Sequence, residues 1–420
     1  MKRVLWILIS CIVLMSNKVS FASEIDMLVN KLAEKNLITY GEAQQIITES
    51  KETVRKEIAM GKAETMPAWI QNLSIKGDLR LRHQVDWDSS KSYARIRERL
   101  RLRTGFETRV VENVKAGFGI ATGSESTDLV TSTSSTSGYA ISDAECTSTN
   151  HTFAGLGKAM LMVDYAYLQY EPVSWITITG GKMKSGTEVW NTTDLLWDTD
   201  INPDGVAVNV NKSINEKLGI LLNGSWLAFG EKSSTLNAPD AYIIQPGVSY
   251  MPASNISIKA AYAVQSLNVN GKKISSFLGT PAFDYNASNI SLEAKMSDVY
   301  AGYCVKLYGD TVSNGDSKVT KDKEGHVYGI KIGDDKVSEF GKWELVYLDR
   351  YMETNAWLSK LEDSDSYGGV TNQKGYEIIF NMGLTKSLVL GIDYYSMDKI
   401  TGATKTTPKQ LAQVDMVYKF

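Results

Sequence analysis

Arginine stands at every second position from Arg97 to Arg103, and Leu100, Leu102, Thr104 and Phe106 continue the alternate positions. A period of two is that of a β-strand, whose successive side chains point to opposite faces. This segment therefore stacks four guanidiniums down one side of one strand and apolar groups down the other. An arginine facing hydrocarbon near the membrane midplane costs roughly 2–4 kcal/mol, so the charged side must meet water or a polar partner. The segment before it repeats the pattern, with Leu73, Ile75, Leu79 and Leu81 on one face and Ser74, Lys76, Asp78, Arg80 and Arg82 on the other. In a water-filled barrel, two such strands in succession would make a positive wall.

The same alternation recurs to the end of the chain. After the short turn Val111-Glu112-Asn113 come segments at 114–120, 163–170, 175–180, 205–211, 218–229, 242–250, 256–264, 289–295, 301–308, 327–332, 343–347, 376–384, 388–395 and 412–420. Ile256, Ile258, Ala260, Tyr262 and Val264 share one face, as do Leu388, Leu390, Ile392 and Tyr394. Short turns alternate with long polar connections such as the Ser/Thr-rich run from Ser124 to Ser148, the asymmetry of an up-and-down barrel in an outer membrane. The expected fold is all-β and transmembrane: an antiparallel barrel of about 16 strands spanning residues 67–420, wide enough to leave an aqueous channel.

Composition excludes several alternatives. Lys2 and Arg3 precede an apolar run from Val4 to Met15 and the small residues Ser20 and Ala22, so residues 1–22 are expected to be a cleaved signal peptide. Removing Lys2, Arg3 and Lys18 from the 45 basic residues leaves 42 against 48 acidic ones, a net charge of −6, which is no polycation for nucleic acid. No later stretch approaches the roughly 18 apolar residues of a membrane helix, a test that a β-barrel escapes. Cys146 and Cys304 alone remain in the mature chain, so no disulfide framework is implied. Between signal and barrel, residues 23–66 read as a short periplasmic helical segment. Ile25, Leu28, Val29 and Leu32 recur at helical spacing, Thr39 to Gly41 break the pattern, and Ile46, Ile47, Val54 and Ile58 follow in a second charged helix.

One segment alternates like neither strand nor helix. Residues 181–208, GKMKSGTEVWNTTDLLWDTDINPDGVAV, carry Glu188, Asp194, Asp198, Asp200 and Asp204 beside Trp190 and Trp197. The segment is too long for a simple connection and too aromatic for a flexible linker, so it reads as an ordered functional loop. Folded inward, its carboxylates would oppose Arg80, Arg82, Arg97, Arg99, Arg101 and Arg103 and set up a transverse field across a narrow aqueous gap. The alternative is that these charges neutralise one another in a packed network that fixes the loop, with Trp190, Leu195, Leu196 and Trp197 as anchors. Asp200 to Gly205 also matches the first half of a calcium loop, but position twelve is Asn211 and not Glu, so no metal is expected.

Three stretches resemble a family of bacterial outer-membrane putative porins: ARIRERLRLRTGFETRVVENVKAGFGIATG, DLLWDTDINPDGVAV and LEDSDSYGGVTNQKGYE. A final strand ending in Val414, Met416, Tyr418 and Phe420 is similar to the assembly signal of such barrels. The resemblance implies a water-filled channel in the cell outer membrane for passive diffusion of small hydrophilic solutes and ions. It also implies lipid around the barrel, a possible homotrimer, no cofactor and no nucleic-acid partner. The rival readings are a plugged barrel, a surface receptor or adhesin using the long loops, and a barrel hydrolase. A hydrolase needs a base beside its nucleophile, and His83, His151 and His326 belong to no Ser/His/Asp grouping, so no catalytic residue is assigned.

Overall fold

The computed structural model describes residues 39, 41–49, 70, 72–123, 148–153, 158–230, 238–272, 274, 278–402 and 408–420. The signal peptide, the first N-terminal helix, Cys146 and most of the Ser/Thr run lie outside them. The chain divides into two compact units, Met1–Gln71 and Asn72–Phe420. In the first, residues 41–49 form a helix, α1. Thr39 starts it with a capping box: Thr39 N–H donates to Glu42 Oε2 at 2.8 Å, and Glu42 N–H donates to Thr39 Oγ1 at 3.3 Å.

The second unit is a closed antiparallel sheet. Its strands are β1 (Ser74–Asp88), β2 (Arg95–Val111), β3 (Val114–Gly123), β4 (His151–Thr152), β5 (Met160–Val173), β6 (Ile176–Lys182), β7 (Asp204–Ser213), β8 (Leu218–Ala228) and β9 (Asp240–Ala253). They continue as β10 (Ile256–Asn268), β11 (Tyr285–Tyr300), β12 (Tyr303–Asn314), β13 (Glu324–Gly333), β14 (Trp343–Met352), β15 (Gln373–Gly383), β16 (Leu388–Lys399) and β17 (Lys409–Lys419). Sixteen are long. The two-residue β4 pairs with Arg99 and Leu100 of β2, above the last rung that β2 shares with β3. Each long strand pairs with its sequence neighbour, and β17 closes on β1 from Asp78↔Lys419 to Asp88↔Lys409. The 16 strands expected from alternation are all present, most of them longer than the apolar pattern alone marks.

The two faces differ as the alternation requires. Leu79, Leu81, Ile258, Tyr262, Val264, Ile290, Leu292 and Ile392 are exposed on the outside, where lipid would cover them. Turns at one end are tight. Between β11 and β12, Ala301 and Gly302 take φ of 52° and 81°, the doubly left-handed turn that matches strand twist.

The core of the molecule lies inside the barrel, on one side. Loop 183–203, between β6 and β7, and loop 353–372, between β14 and β15, pack against each other there. Met183, Val189, Leu195, Leu196 and Trp197 of the first meet Ala356, Trp357, Leu358 and Leu361 of the second, and inward residues of β7 to β14 such as Leu227, Ile243, Leu267, Val312 and Leu348 complete the cluster. Trp357 Nε1–H donates to the Leu196 carbonyl at 2.7 Å, and Trp197 Nε1–H to Gln265 Oε1 at 3.0 Å. Each indole thus buries its ring without orphaning its donor.

Candidate pore

The arginines of β1 and β2 face inward, and the register sets like charges side by side: Arg80 is opposite Arg101, and Arg82 opposite Arg99. Directly opposed like charges destabilise a sheet unless something neutralises them. Most of the neutralisation comes from carboxylates outside the acidic loop. Asp78 pairs with Arg101 at 2.8 Å and Asp86 with Arg97 at 2.9 Å, both within the same wall. Asp415 of β17 accepts two bonds from Arg82, at 2.7 Å from Nε and 2.8 Å from Nη2, a forked geometry that fixes the guanidinium plane. Asp365, from the second loop, reaches Arg82 at 3.1 Å. Arg80 donates to Asn150 Oδ1 at 2.7 Å, and Arg99 to Gln84 Oε1 at 3.0 Å.

The five carboxylates read from the 181–208 segment divide. Asp200 alone meets the wall, pairing with Arg103, which also donates to Thr149 Oγ1 at 3.1 Å. Asp194 points to the other side, onto the fully buried Arg350 of β14. Asp198 is turned into the loops, accepting the Asp200 N–H and the Ser364 N–H, each at 2.9 Å. Glu188 is 1 % exposed, and its carboxyl faces the backbone N–H groups of its own turn, Gly186 at 3.3 Å among them. Asp204 belongs to β7, 3.6 Å from Lys182. Burial pushes two of these carboxyls upward, Glu188 to about 7 and Asp198 to about 6. The opposition of loop and arginine wall is therefore one contact, not five, because the loop spends its other acids on holding its own fold and its partner loop.

Several residues that build the lumen were not singled out from the sequence. Arg350 bridges the loops, with Asp194, with Asp363 at 3.4 Å and with Glu362 at 3.9 Å. Asp310 of β12 holds the tip of the first loop, accepting Thr192 N–H at 3.0 Å and Thr193 N–H at 2.6 Å. Gln245 of β9 takes the Trp190 N–H at 2.8 Å and returns a bond to its carbonyl at 2.7 Å. A readable signal existed for Arg350: in WELVYLDRYM both faces are apolar, so the inner face must be covered and a charge on it must be paired.

Opposite this filled half, space remains. A cavity of about 700 Å³ lies on one side of the Arg103–Asp200 pair, lined by Thr149, Asp200, Phe229 and Leu361 among others. A second, of about 400 Å³, lies on the other side, lined by Lys76, Arg103, Tyr165 and Lys184. Asp164 and Asn202 line both. The wall is kept thin here by a glycine: a Cβ on Gly105 would lie 1.9 Å from the Tyr165 hydroxyl, so the tyrosine lies flat against β2 only because that side chain is missing. Among the described residues, no group of three or more His, Cys, Asp or Glu is placed to hold a metal ion.

A closed sixteen-strand antiparallel barrel, apolar outside and charged within, defines an outer-membrane diffusion channel. The sequence profile of the putative porins matches residues 89–295 and 276–420, and the chain belongs to that family. It is a porin of the cell outer membrane, a class of channel through which small solutes pass. Among solved structures, Pseudomonas putida OprB at high pH is similar with a TM-score of 0.53 at 9% identity, covering 84% of this chain and 95% of that one. Salmonella typhi OmpF in complex with daunomycin gives 0.47 at 13% identity, covering 83% and 98%. The outer membrane channel DcaP of Acinetobacter baumannii gives 0.44 at 13%, covering 83% and 97%. At such identities the likeness is one of fold. No curated protein sequence matches.

Proposed function

We propose that small hydrophilic solutes and ions diffuse passively along the β1–β2–β3–β5 side of the lumen, with the Arg103–Asp200 pair as the charged constriction. The observation that carries this is the pair of cavities meeting at Asp164 and Asn202 on either side of that contact. Loop 183–203 then narrows the passage, and loop 353–372 backs it. The arginines act as a fixed lining whose charge is partly offset, and no chemical step is involved. Among the described residues, His83 is hydrogen-bonded to Glu98 at 2.7 Å and His326 is stacked on Tyr328 and Tyr351, which gives neither a nucleophile to activate. The same proposal includes removal of residues 1–22, a periplasmic role for residues 23–66 and assembly as a homotrimer.

The test is single-channel conductance in planar bilayers with Asp200→Cys in a Cys146→Ser background. The unmodified variant should conduct in discrete ohmic steps, and attachment of a bulky thiol reagent should remove most of the current. Current that survives complete modification would place the passage elsewhere, and a folded barrel that never conducts would favour a plugged one.

A further inference from the structure

We propose that the outer face of β1, β2 and β4 packs against a second copy of this chain, around a polar cluster made by His83, Glu98 and His151; this rests on the homotrimer proposed above. The alternation that sends Leu79, Leu81, Val85 and Trp87 outward from β1 sends His83 out with them, and on β2 it sends Glu98 out between Ile96 and Leu100. His83 is opposite Glu98 in the register, and its Nδ1 lies 2.7 Å from Glu98 Oε1. Their side chains are 48% and 53% exposed, so the described residues of this chain leave them uncovered. His151 of β4 is opposite Leu100, which puts a second imidazole on the same face, one rung nearer the short turns.

The pair sits at a depth where lipid is a poor partner. On β1, His83 is four residues from Trp87 toward the long loops and four from Leu79, the partner of Tyr418, toward the short turns. Trp87 and Tyr418 are outward and exposed, at the levels where aromatic belts meet the two membrane surfaces. Four residues of tilted strand are roughly 10 Å of depth, so the pair falls inside the apolar band, with Val414 of β17 beside it. An outward charge at the belt itself is ordinary, as Asp349 is between Tyr328 and Tyr376. An ionisable group inside the band is costly against hydrocarbon and is normally turned to protein or water. The hydrogen bond between His83 and Glu98 offsets part of that cost but satisfies only one atom of each. Among the described residues, His83 Nε2, Glu98 Oε2 and the ring nitrogens of His151 have no hydrogen-bond partner. A second copy brings the same carboxylate and the same two imidazoles, acceptor and donors together, so the strip complements its own image in a ring of subunits. Here the neighbouring copy takes the place that lipid takes elsewhere, and Leu81, Val85 and Leu100 seal the cluster.

The test places spin labels on Leu81→Cys and, for comparison, on Leu292→Cys of β11 half-way round the barrel, each in a Cys146→Ser background in lipid bilayers, with the mass of the assembly measured alongside. Cys304 is buried and stays unlabelled. Labels at 81 should be shielded from dissolved oxygen and lie closer to one another across the assembly than labels at 292, which oxygen should reach freely. Glu98→Leu should lower the temperature at which the assembly falls into single chains, because it strips two imidazoles of their acceptor inside an interface. Glu98→Gln, which still accepts, should hold the assembly together. On a face that met lipid, Glu98→Leu would instead remove a costly group and leave the assembly as firm or firmer. An assembly of three chains whose 81 labels are open to oxygen, or one indifferent to Glu98→Leu, would overturn this face as the interface and leave the homotrimer standing. A barrel with the mass of one chain would overturn the homotrimer, and the interface with it.

Discussion

At the scale of single residues, Glu188 has the most to gain from being replaced. Its carboxyl is buried in the loop with only backbone N–H groups, those of Gly186, Thr187 and Glu188 itself, and no cation to meet it, and its Oε2 makes no hydrogen bond of ordinary geometry among the described residues. Burial raises it from an ordinary 4.5 to about 7, so the folded chain holds this proton more tightly than the unfolded chain does. The cost of ionising it in the folded state is absent below about 4.5, grows as the pH rises, and is complete above about 7. Glu188→Gln should therefore raise the unfolding temperature at about pH 8, by up to about 3 kcal/mol of stability, and change little near pH 4. Thermal denaturation at the two pH values reads this directly. A glutamine variant less stable at the higher pH would mean that the carboxylate is held by contacts stronger than these. None of this is legible in the sequence, where Glu188 is one acid in an acidic loop. Whether such an acid faces water, an arginine or its own backbone depends on how the loop turns, and nothing in a local pattern sets that.

At the scale of elements, the two infolded loops act as one body. Trp357 at its centre is fully buried, edge-on to both Trp197 and Tyr285. Trp357→Ala should loosen the pair by about 3–5 kcal/mol, the usual cost of emptying such a site. The strands would survive, because their ladders do not depend on the indole. The expected result is a folded barrel with larger and noisier unit conductance and faster proteolysis within 353–372. Unchanged conductance would show that the second loop does not bound the passage. This arrangement was half legible. Strands follow from period two because each has one apolar face outward, and the inward faces of β8 to β14 carry apolar residues too, Leu227, Ile243, Leu267, Val312, Val327 and Leu348 among the polar ones that hold the loops. A strand apolar on both faces announces a covered interior. Half of the cover, the infolded segment 181–208 with its tryptophan anchors, was readable; the other half was not, since loop 353–372 mixes acids, glycines and one buried tryptophan without a period.

For the molecule as a whole, the lumen is asymmetric. One half is packed like a soluble protein, and the other is lined by paired charges and stays open. The width of the open half depends on Tyr165 and Tyr167, whose rings lie over Gly105, Gly117 and Gly119. Gly105→Ala would set a methyl 1.9 Å from the Tyr165 hydroxyl, and the ring would have to swing toward the open side. Unit conductance should fall while the sign of the reversal potential in a salt gradient stays as in wild type. Unaltered conductance would mean that Tyr165 does not border the narrow part.

Those tyrosines are inlaid in the wall like panels in a frame, and the recess is cut by residues that carry no side chain at all. Bore and sign are consequently written in different letters: glycine and tyrosine set how large a traveller fits, arginine and lysine set what charge it prefers. Either property can be retuned by one substitution that leaves the other where it was.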